Sequence, residues 1–380
     1  MSSVAQAPPR NPATGTPAPT PGPSSVRHLG PNWYAAVMGT AIVANAGATL
    51  PLTAPGLRAA YQVVWALSAL LLLTLLTARA VHWARHSDQA RRHLLDPTVA
   101  PFYGCLAMAL LAVGGGTLAV GRDIIGTPAA VAADAVLWTA GTLVGLATAA
   151  GIPYLMVARH KITEGSASPV WLLPLVAPMV SAALGPALIP HLPPGQPQKA
   201  LLLACYALFG MSLLMTLAVL PLVLSRLFHH GPLPLALTPT LFLVLGPLGQ
   251  STTAVNNLAD VAPGVVTPST AHAMSAFAVL YGVPVLGFAL LWLALATALV
   301  VRAARRGMGF AMTWWGFTFP IGTCVTGAAG LARHTGLTAY GWLAVALFAA
   351  LVIAVAVTGT RTAHGLARGR LLAPPRPTTA

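Results

Sequence analysis

The stretch "TWWGFTFPIGTC", residues 313–324, sets two tryptophans, two phenylalanines and a proline within eight positions of a run otherwise apolar enough to cross a bilayer. A proline in mid-helix removes one backbone donor and clashes with the carbonyl one turn back. In hydrocarbon such a break survives only where protein or a watery cavity satisfies the freed groups. The stretch therefore reads as part of a membrane helix that faces an interior, with Trp314 and Trp315 near its headgroup end, where indole rings are favoured.

The rest of the chain agrees. Of its 380 residues, 56% are hydrophobic and only 7% charged, with a mean hydropathy of +0.76, against about a quarter charged in soluble domains. Apolar runs of about 20 residues, each long enough to cross a bilayer core as a helix, recur ten times. They cover 32–52, 57–80, 101–120, 131–157, 169–190, 198–224, 238–258, 271–300, 312–332 and 338–358. The short alternating strands of a membrane barrel are not seen. The expected fold is an all-α integral membrane protein of ten transmembrane helices.

The net charge of +14 would suggest a nucleic-acid partner in a soluble protein. Its distribution gives another reading, and no nucleic acid is expected. All 20 lysines and arginines except Arg58, Arg122, Lys199 and Arg333 fall in the N-terminal arm, alternate loops and the C-terminal tail. By the positive-inside rule both termini are cytoplasmic, in the cell membrane, and the number of spans is even. Residues 1–30, rich in Pro, Ala, Thr and Ser, read as a disordered cytoplasmic arm, 31–360 as one transmembrane domain, and 361–380 as a basic cytoplasmic tail. The tail's basic residues could touch anionic lipid, but topology determinants are the plainer reading. Cys105, Cys205 and Cys324 all lie inside spans, an odd set that reads as packing rather than a disulfide framework or metal site. No cofactor is expected.

Glycine and proline separate the spans into two classes. The odd-numbered spans hold 23 of them and the even-numbered ten, with none in the second. The odd helices should be the inner ones, since only there can broken backbone be satisfied. Breaks are expected at Gly39, Pro178, Pro186, Gly246, Pro247, Pro320 and Gly322, with Pro178, Pro186, Pro247 and Pro320 each able to begin a half-helix whose positive end suits an anion. "GTAIVANAG" (39–47) and "GTCVTGAAG" (322–330) echo one another, which points to repeated construction.

No Asp, Glu, Lys, Arg or His lies well inside an odd span, whereas ion-coupled cation carriers generally keep an ionisable residue in the membrane. Asp134 is expected in the first turn of the fourth helix, where a carboxylate is favoured. What remains to line a path is hydroxyl and amide: Thr40, Asn45, Gln250, Ser251, Asn256 and Thr323, with Ser181, Thr252, Thr253, Asn257, Thr318 and Thr326 beside them. Interhelical hydrogen bonding is the other reading for any one of these. Arg333 and His334, with His272, would form an outer basic vestibule or simply snorkel to the interface.

"NWYAAVMGTAIVANA" (32–46), "PVWLLPLVAPMVSAALGP" (169–186), "TPTLFLVLGPLGQS" (238–251) and "WWGFTFP" (314–320) together resemble the tellurite-resistance/dicarboxylate transporter family. That family includes bacterial tellurite-resistance permeases, fungal malate and sulfite permeases and plant slow-type anion channels. The resemblance implies five helical hairpins around a central pore, odd helices innermost and kinked, often as a homotrimer. It also implies a phenylalanine of the ninth helix plugging the constriction, here Phe319 with Phe317 as competitor. Carry-over is firmest for Gly39, Pro178, Gly246, Pro247 and Pro320. Ala41 stands where the family often has a second glycine, and "VMGT" is closer to the malate and sulfite branches.

Two functions follow. One is a channel or facilitator for small anions of the chloride, sulfite, C4-dicarboxylate or tellurite class, gated by a phenylalanine. The alternative is a proton-coupled dicarboxylate or sulfite carrier. An enzyme would need a nucleophile and base or a metal set, such as HExxH, and none appears in the spans.

Overall fold

The computed structural model describes residues 26–52 and 54–372. Most of the arm expected over 1–30 and the end of the tail lie outside them. Of the arm, Val26–His28 form a short 3-10 turn, and the last helix runs on through Ala367 into the region read as tail.

The described residues form helices and no β-strand: α1 (Tyr34–Gly47), α2 (Leu57–Arg85), α3 (Ser87–Leu95), α4 (Gly104–Gly116), α5 (Arg122–Ile125) and α6 (Thr127–Ala158). They continue as α7 (Leu172–Leu184), α8 (Gln196–His230), α9 (Leu245–Val261), α10 (Pro268–Arg305), α11 (Thr318–Thr335) and α12 (Thr338–Ala367). Seven segments are long and apolar enough to cross a membrane by length and composition: Leu57–Arg85, Ala100–Ile125, Thr127–Ala158, Pro169–His191, Gln196–His230, Pro268–Arg305 and Thr338–Ala367. The apolar runs 32–52, 238–258 and 312–332 are absent from that set: α1 is only 14 residues long, and α9 and α11 are rich in Gly, Ser, Thr, Gln and Asn, which lowers their hydropathy. Each of the three enters through a 3-10 segment, at Pro31–Trp33, Leu235–Val244 and Met312–Phe317.

Burial divides the helices as the breakers do. Every residue of α1 is buried, and α4, α7, α9 and α11 are nearly so. By contrast α2, α6, α8, α10 and α12 bury only a stripe and leave wide apolar faces exposed. The buried helices touch in a closed cycle, α1 on α4, α4 on α7, α7 on α9, α9 on α11 and α11 back on α1. Each long helix packs outside, mainly on the buried helix that precedes it.

The broken backbone of the ring is satisfied from outside. Trp138 of α6 donates its indole N–H to the Ser181 carbonyl at 2.9 Å, and Trp292 of α10 to the Leu241 carbonyl at 2.8 Å. Ser212 of α8 donates to the Leu175 carbonyl at 2.6 Å; a further bond from an outer helix, Trp65 of α2 to the Thr117 hydroxyl at 2.9 Å, is between side chains. Leu241 lies in a 3-10 lead, where regular bonding is poorer. Replacing Trp292 by Phe leaves that buried carbonyl without its donor, a loss of about 1–3 kcal/mol. The expected result is a lowered thermal-unfolding midpoint in detergent.

Three details depart from the sequence expectations. Asp134 is not in a first turn, because α6 begins earlier, at Thr127–Pro128 after Gly126 with φ 81°. Its carboxylate is buried beside Gly114, with no hydrogen-bond partner among the described residues. Pro178 sits inside an unbroken α7, and Pro186 opens a 3-10 turn, Gly185–His191, that follows it. Of the four prolines expected to begin half-helices, only Pro247 and Pro320 stand in the first turn of an α-helix. The three cysteines are buried and unpaired.

Candidate functional site

Inside the ring lies a cavity of about 580 Å³. All five buried helices or their extensions line it: Ile42 and Asn45 of α1; Ala112 and Gly115 of α4; Ala183 and Leu184 of α7; Gln250, Thr253 and Asn257 of α9; Phe319, Thr326 and Arg333 of α11. The spacing on α9 and α11 is that of one helix face. From Phe319 to Arg333 the cavity follows α11 for about 20 Å, at roughly 1.5 Å per residue. None of the lining residues is acidic.

Phe319 is the lining residue nearest the start of α11, and the residue is only 2% exposed. Beyond it the ring closes. Met38, Cys105, Leu173, Leu243 and Gly316 surround a void of about 10 Å³, room for about one water. Phe317 points elsewhere, edge-on to Phe242 at 4.9 Å and to Trp314 at 5.8 Å between ring centres.

The other end is basic. Arg58, Arg122, His191 and Arg333 line the cavity there. Arg58 pairs with Asp123 at 2.7 Å and also donates to the Ala119 carbonyl at 2.8 Å. Arg333 pairs with Asp260 at 2.8 Å, and His334 with the same carboxylate at 3.0 Å. Arg122 has no ion-pair partner among the described residues. Asp260 and His334 lie beyond the apolar spans 238–258 and 312–332. Burial pulls the Asp260 carboxyl up, but the hydrogen bonds from His334 and Arg333 and the charge of Arg333 outweigh it and hold the group below its usual range. The hydrogen bond to Asp260 raises His334, against the opposing effect of its own burial.

The polar candidates separate. Asn45 and Gln250 face the cavity, whereas Thr40, Ser251, Asn256 and Thr323 do not. Thr40 donates to the Ala36 carbonyl at 2.8 Å, Ser251 to Leu248 at 3.0 Å, and Thr323 to Pro320 at 2.7 Å. Asn256 donates to the Thr252 carbonyl at 2.7 Å. In the cavity, Asn45 Nδ2 is spent on the Ala112 carbonyl at 2.9 Å, and the Thr253 and Thr326 hydroxyls bond one another at 2.7 Å. The Gln250 amide makes no hydrogen bond among the described residues, and its Oε1 is buried without a partner. An amide free to turn presents N–H₂ to whatever fills the lumen.

Of the proposed breaks, Gly39 is needed for close approach: a Cβ there would lie 2.8 Å from the Trp315 ring and closer still to the Thr318 hydroxyl. Gly322 abuts Ile42, but Gly246 has open space around it. Sequence reasoning missed Arg58, Arg122 and His191 as cavity residues. It did not carry Thr253, Asn257 and Thr326 ahead of their neighbours. The seven-residue spacing of Phe319, Thr326 and Arg333 was the available signal.

A family model described as voltage-dependent anion channel (SLAC1) matches residues 28–363. An uncharacterized transporter of Methanocaldococcus jannaschii is 27% identical over 301 residues, covering 79% of this chain and 82% of that protein. The sulfite efflux pump SSU1 of Arthroderma otae is 26% identical over 316 residues, covering 82% and 83%. The protein of the same name from Trichophyton rubrum is 26% identical over 319 residues, with the same coverage.

Proposed function

The chain belongs to the voltage-dependent anion channel family, and from that membership we propose that it moves small anions across the cell membrane through the cavity that ends on Phe319. The observation that carries the reading is the cavity's polarity: guanidinium groups at one end, no acidic lining residue, and an aromatic ring at the other. Basic groups at the mouth concentrate anions, and the free Gln250 amide offers a neutral donor deeper in. Phe319 closes the path by excluding water from an apolar constriction.

In this reading all ten apolar runs cross the membrane, paired as five hairpins, α1 with α2, α4 with α6, α7 with α8, α9 with α10 and α11 with α12. The 3-10 leads supply the length that the shorter α-helices lack. Both termini are cytoplasmic, which puts the arginine mouth outside, and the protein assembles as a homotrimer with one pore per subunit. Sulfite is the favoured substrate, because sulfite efflux pumps are among the relatives. A proton-coupled carrier for sulfite or a C4-dicarboxylate is the second reading; of these two substrates, the names of the relatives support sulfite. The test is flux in liposomes of chloride, nitrate, sulfite, malate and tellurite, with and without an imposed pH gradient. Electrogenic flux that ignores the gradient supports the channel. Electrically silent flux driven by the gradient replaces it with the carrier, and no flux of any anion removes both.

Arg122→Gln is expected to raise the half-saturating anion concentration severalfold while leaving the maximal flux nearly intact. The difference shrinks toward 1 M salt, where screening acts within about 3 Å, and Arg122→Lys restores most of it. Equal concentration curves at low salt would remove Arg122 from anion recruitment.

The pH dependence has a defined sign. The His334 pKa is raised, so its positive charge is present below that raised value and lost as pH climbs through it. Anion flux at low salt should fall over that interval. His334→Gln should flatten the step, read from initial rates at varied external pH.

A further inference from the structure

We propose that a second cavity, outside the ring, binds an acyl chain of an anionic phospholipid. It encloses about 600 Å³ between the α1 entrance and the long helices α2 and α12, and shares no lining residue with the pore cavity. Such a volume is within the range of small-ligand sites, roughly 300–1,000 Å³. Leu67, Leu71 and Leu75 of α2 form one wall and Val355 and Gly359 of α12 another, with Trp315 at the back.

The chemistry of the wall selects hydrocarbon. Its three threonine hydroxyls are already used: Thr40 and Thr74 each donate to a carbonyl one turn back at 2.8 Å. Thr362 donates to the Thr358 carbonyl at 2.8 Å and accepts from Trp315 Nε1 at 3.1 Å. Those hydroxyls leave little to hold water, and a dry apolar cavity takes an apolar guest. The walls belong to helices whose outer faces are exposed and apolar, so bilayer chains are the nearest source. An empty space of this size would forfeit the dispersion contacts those chains can supply.

The headgroup is selected by the rim. Arg361 is adjacent in sequence to the lining residue Thr362, and Arg368 and Arg370 lie between Leu366 and Leu372, which also line the cavity. None of the three has an ion-pair partner among the described residues. Arg361 lies 5.8 Å over the Trp314 ring. Clustered basic groups beside a membrane helix attract anionic lipid. An acyl chain seated here presses on Trp315, which packs on Gly39 and sits one helical turn before Phe319.

The experiment uses the full chain in vesicles of phosphatidylcholine containing a minor fraction of chain-brominated phosphatidylglycerol, whose bromines quench nearby indoles. Quenching is expected, with a component lost in Trp33→Phe/Trp315→Phe and reduced severalfold in Gly359→Phe, which fills the space. Brominated phosphatidylcholine at the same fraction should reproduce that component only weakly. Size-exclusion profile and helical circular dichroism confirm that the variants fold. If the component is absent, or the neutral lipid produces it equally, the proposal is overturned. It is also overturned if Leu71→Cys and Ala363→Cys cross-link to a second copy across this cavity, since a protein surface then fills it.

Discussion

Phe319→Ala should raise anion flux about tenfold or more, equivalent to about 1.4 kcal/mol or more off the barrier to permeation. The ring stands where the pore cavity stops, and the layer beyond it has only about 10 Å³ of free space. Removing the ring should extend the cavity toward that layer and admit water where the ring had excluded it. Met38, Leu173 and Leu243 still narrow the path beyond. The variant is therefore expected to conduct less than a fully open channel. A buried phenylalanine lost from a packed core costs about 3–5 kcal/mol. Here one side of the ring already faces the cavity, so the cost should fall below that range. Phe319→Leu, which keeps part of the apolar volume, should lie between wild type and the alanine variant. Phe317→Ala is the control, because its ring packs on Phe242 and Trp314 outside the cavity. The measurement is chloride and sulfite flux into liposomes, with monodispersity checked first. Unchanged flux in a folded Phe319→Ala protein would remove the gate, and increased flux in Phe317→Ala alone would move it.

What the sequence made legible follows from what the bilayer enforces. Apolar length, basic asymmetry and the crowding of breakers into alternate runs all reflect one demand, that backbone polar groups in hydrocarbon be satisfied. That demand identified α1, α4, α7, α9 and α11 as the buried set from glycine and proline alone. It could not identify which side chain faces the lumen. Ser251, Asn256 and Thr323 stood ahead of Thr253, Asn257 and Thr326 in the sequence, yet only the latter three line the cavity, although both sets donate to carbonyls. The difference is one of helix rotation, set by packing on both neighbours and invisible in composition. Arg58 and Arg122 were legible as outer charges, but their place at the mouth depends on the π-helical turn Thr117–Gly121, which carries Arg122 to the rim. Proline was over-read for a related reason. Pro178 interrupts the hydrogen-bond ladder without ending α7, and donors from α6 and α8 serve carbonyls on either side of it.

Gly249→Val is expected to prevent assembly of the ring, costing about 3 kcal/mol or more, the upper end of overpacking penalties. A Cβ at Gly249 would lie 2.6 Å from the backbone nitrogen of Cys324 and from the carbonyl carbon of Thr323. Backbone cannot rotate aside as a side-chain tip can. α9 and α11 would have to separate, and Gly327, on the facing helix and itself 3.1 Å from the Gly249 carbonyl at the position a Cβ would occupy, shows how close the two axes run. Small residues at such crossings let helices approach where lipid supplies no hydrophobic drive between them. Separation would also break the Thr253–Thr326 bond and the Thr253 contact to the Thr323 carbonyl, exposing polar groups at membrane depth. Gly287→Ala supplies the contrast, since a Cβ there meets nothing within 4 Å and the position is interior to α10. That change should stabilise by about 0.4–1 kcal/mol through a less flexible unfolded chain. Both are read as yield of monodisperse protein and thermal midpoint in detergent. A Gly249→Val protein with wild-type yield and midpoint would mean that α9 and α11 do not cross at the distance described. The single cavity bounded by all five buried helices, on which the anion path depends, would then have to be redrawn.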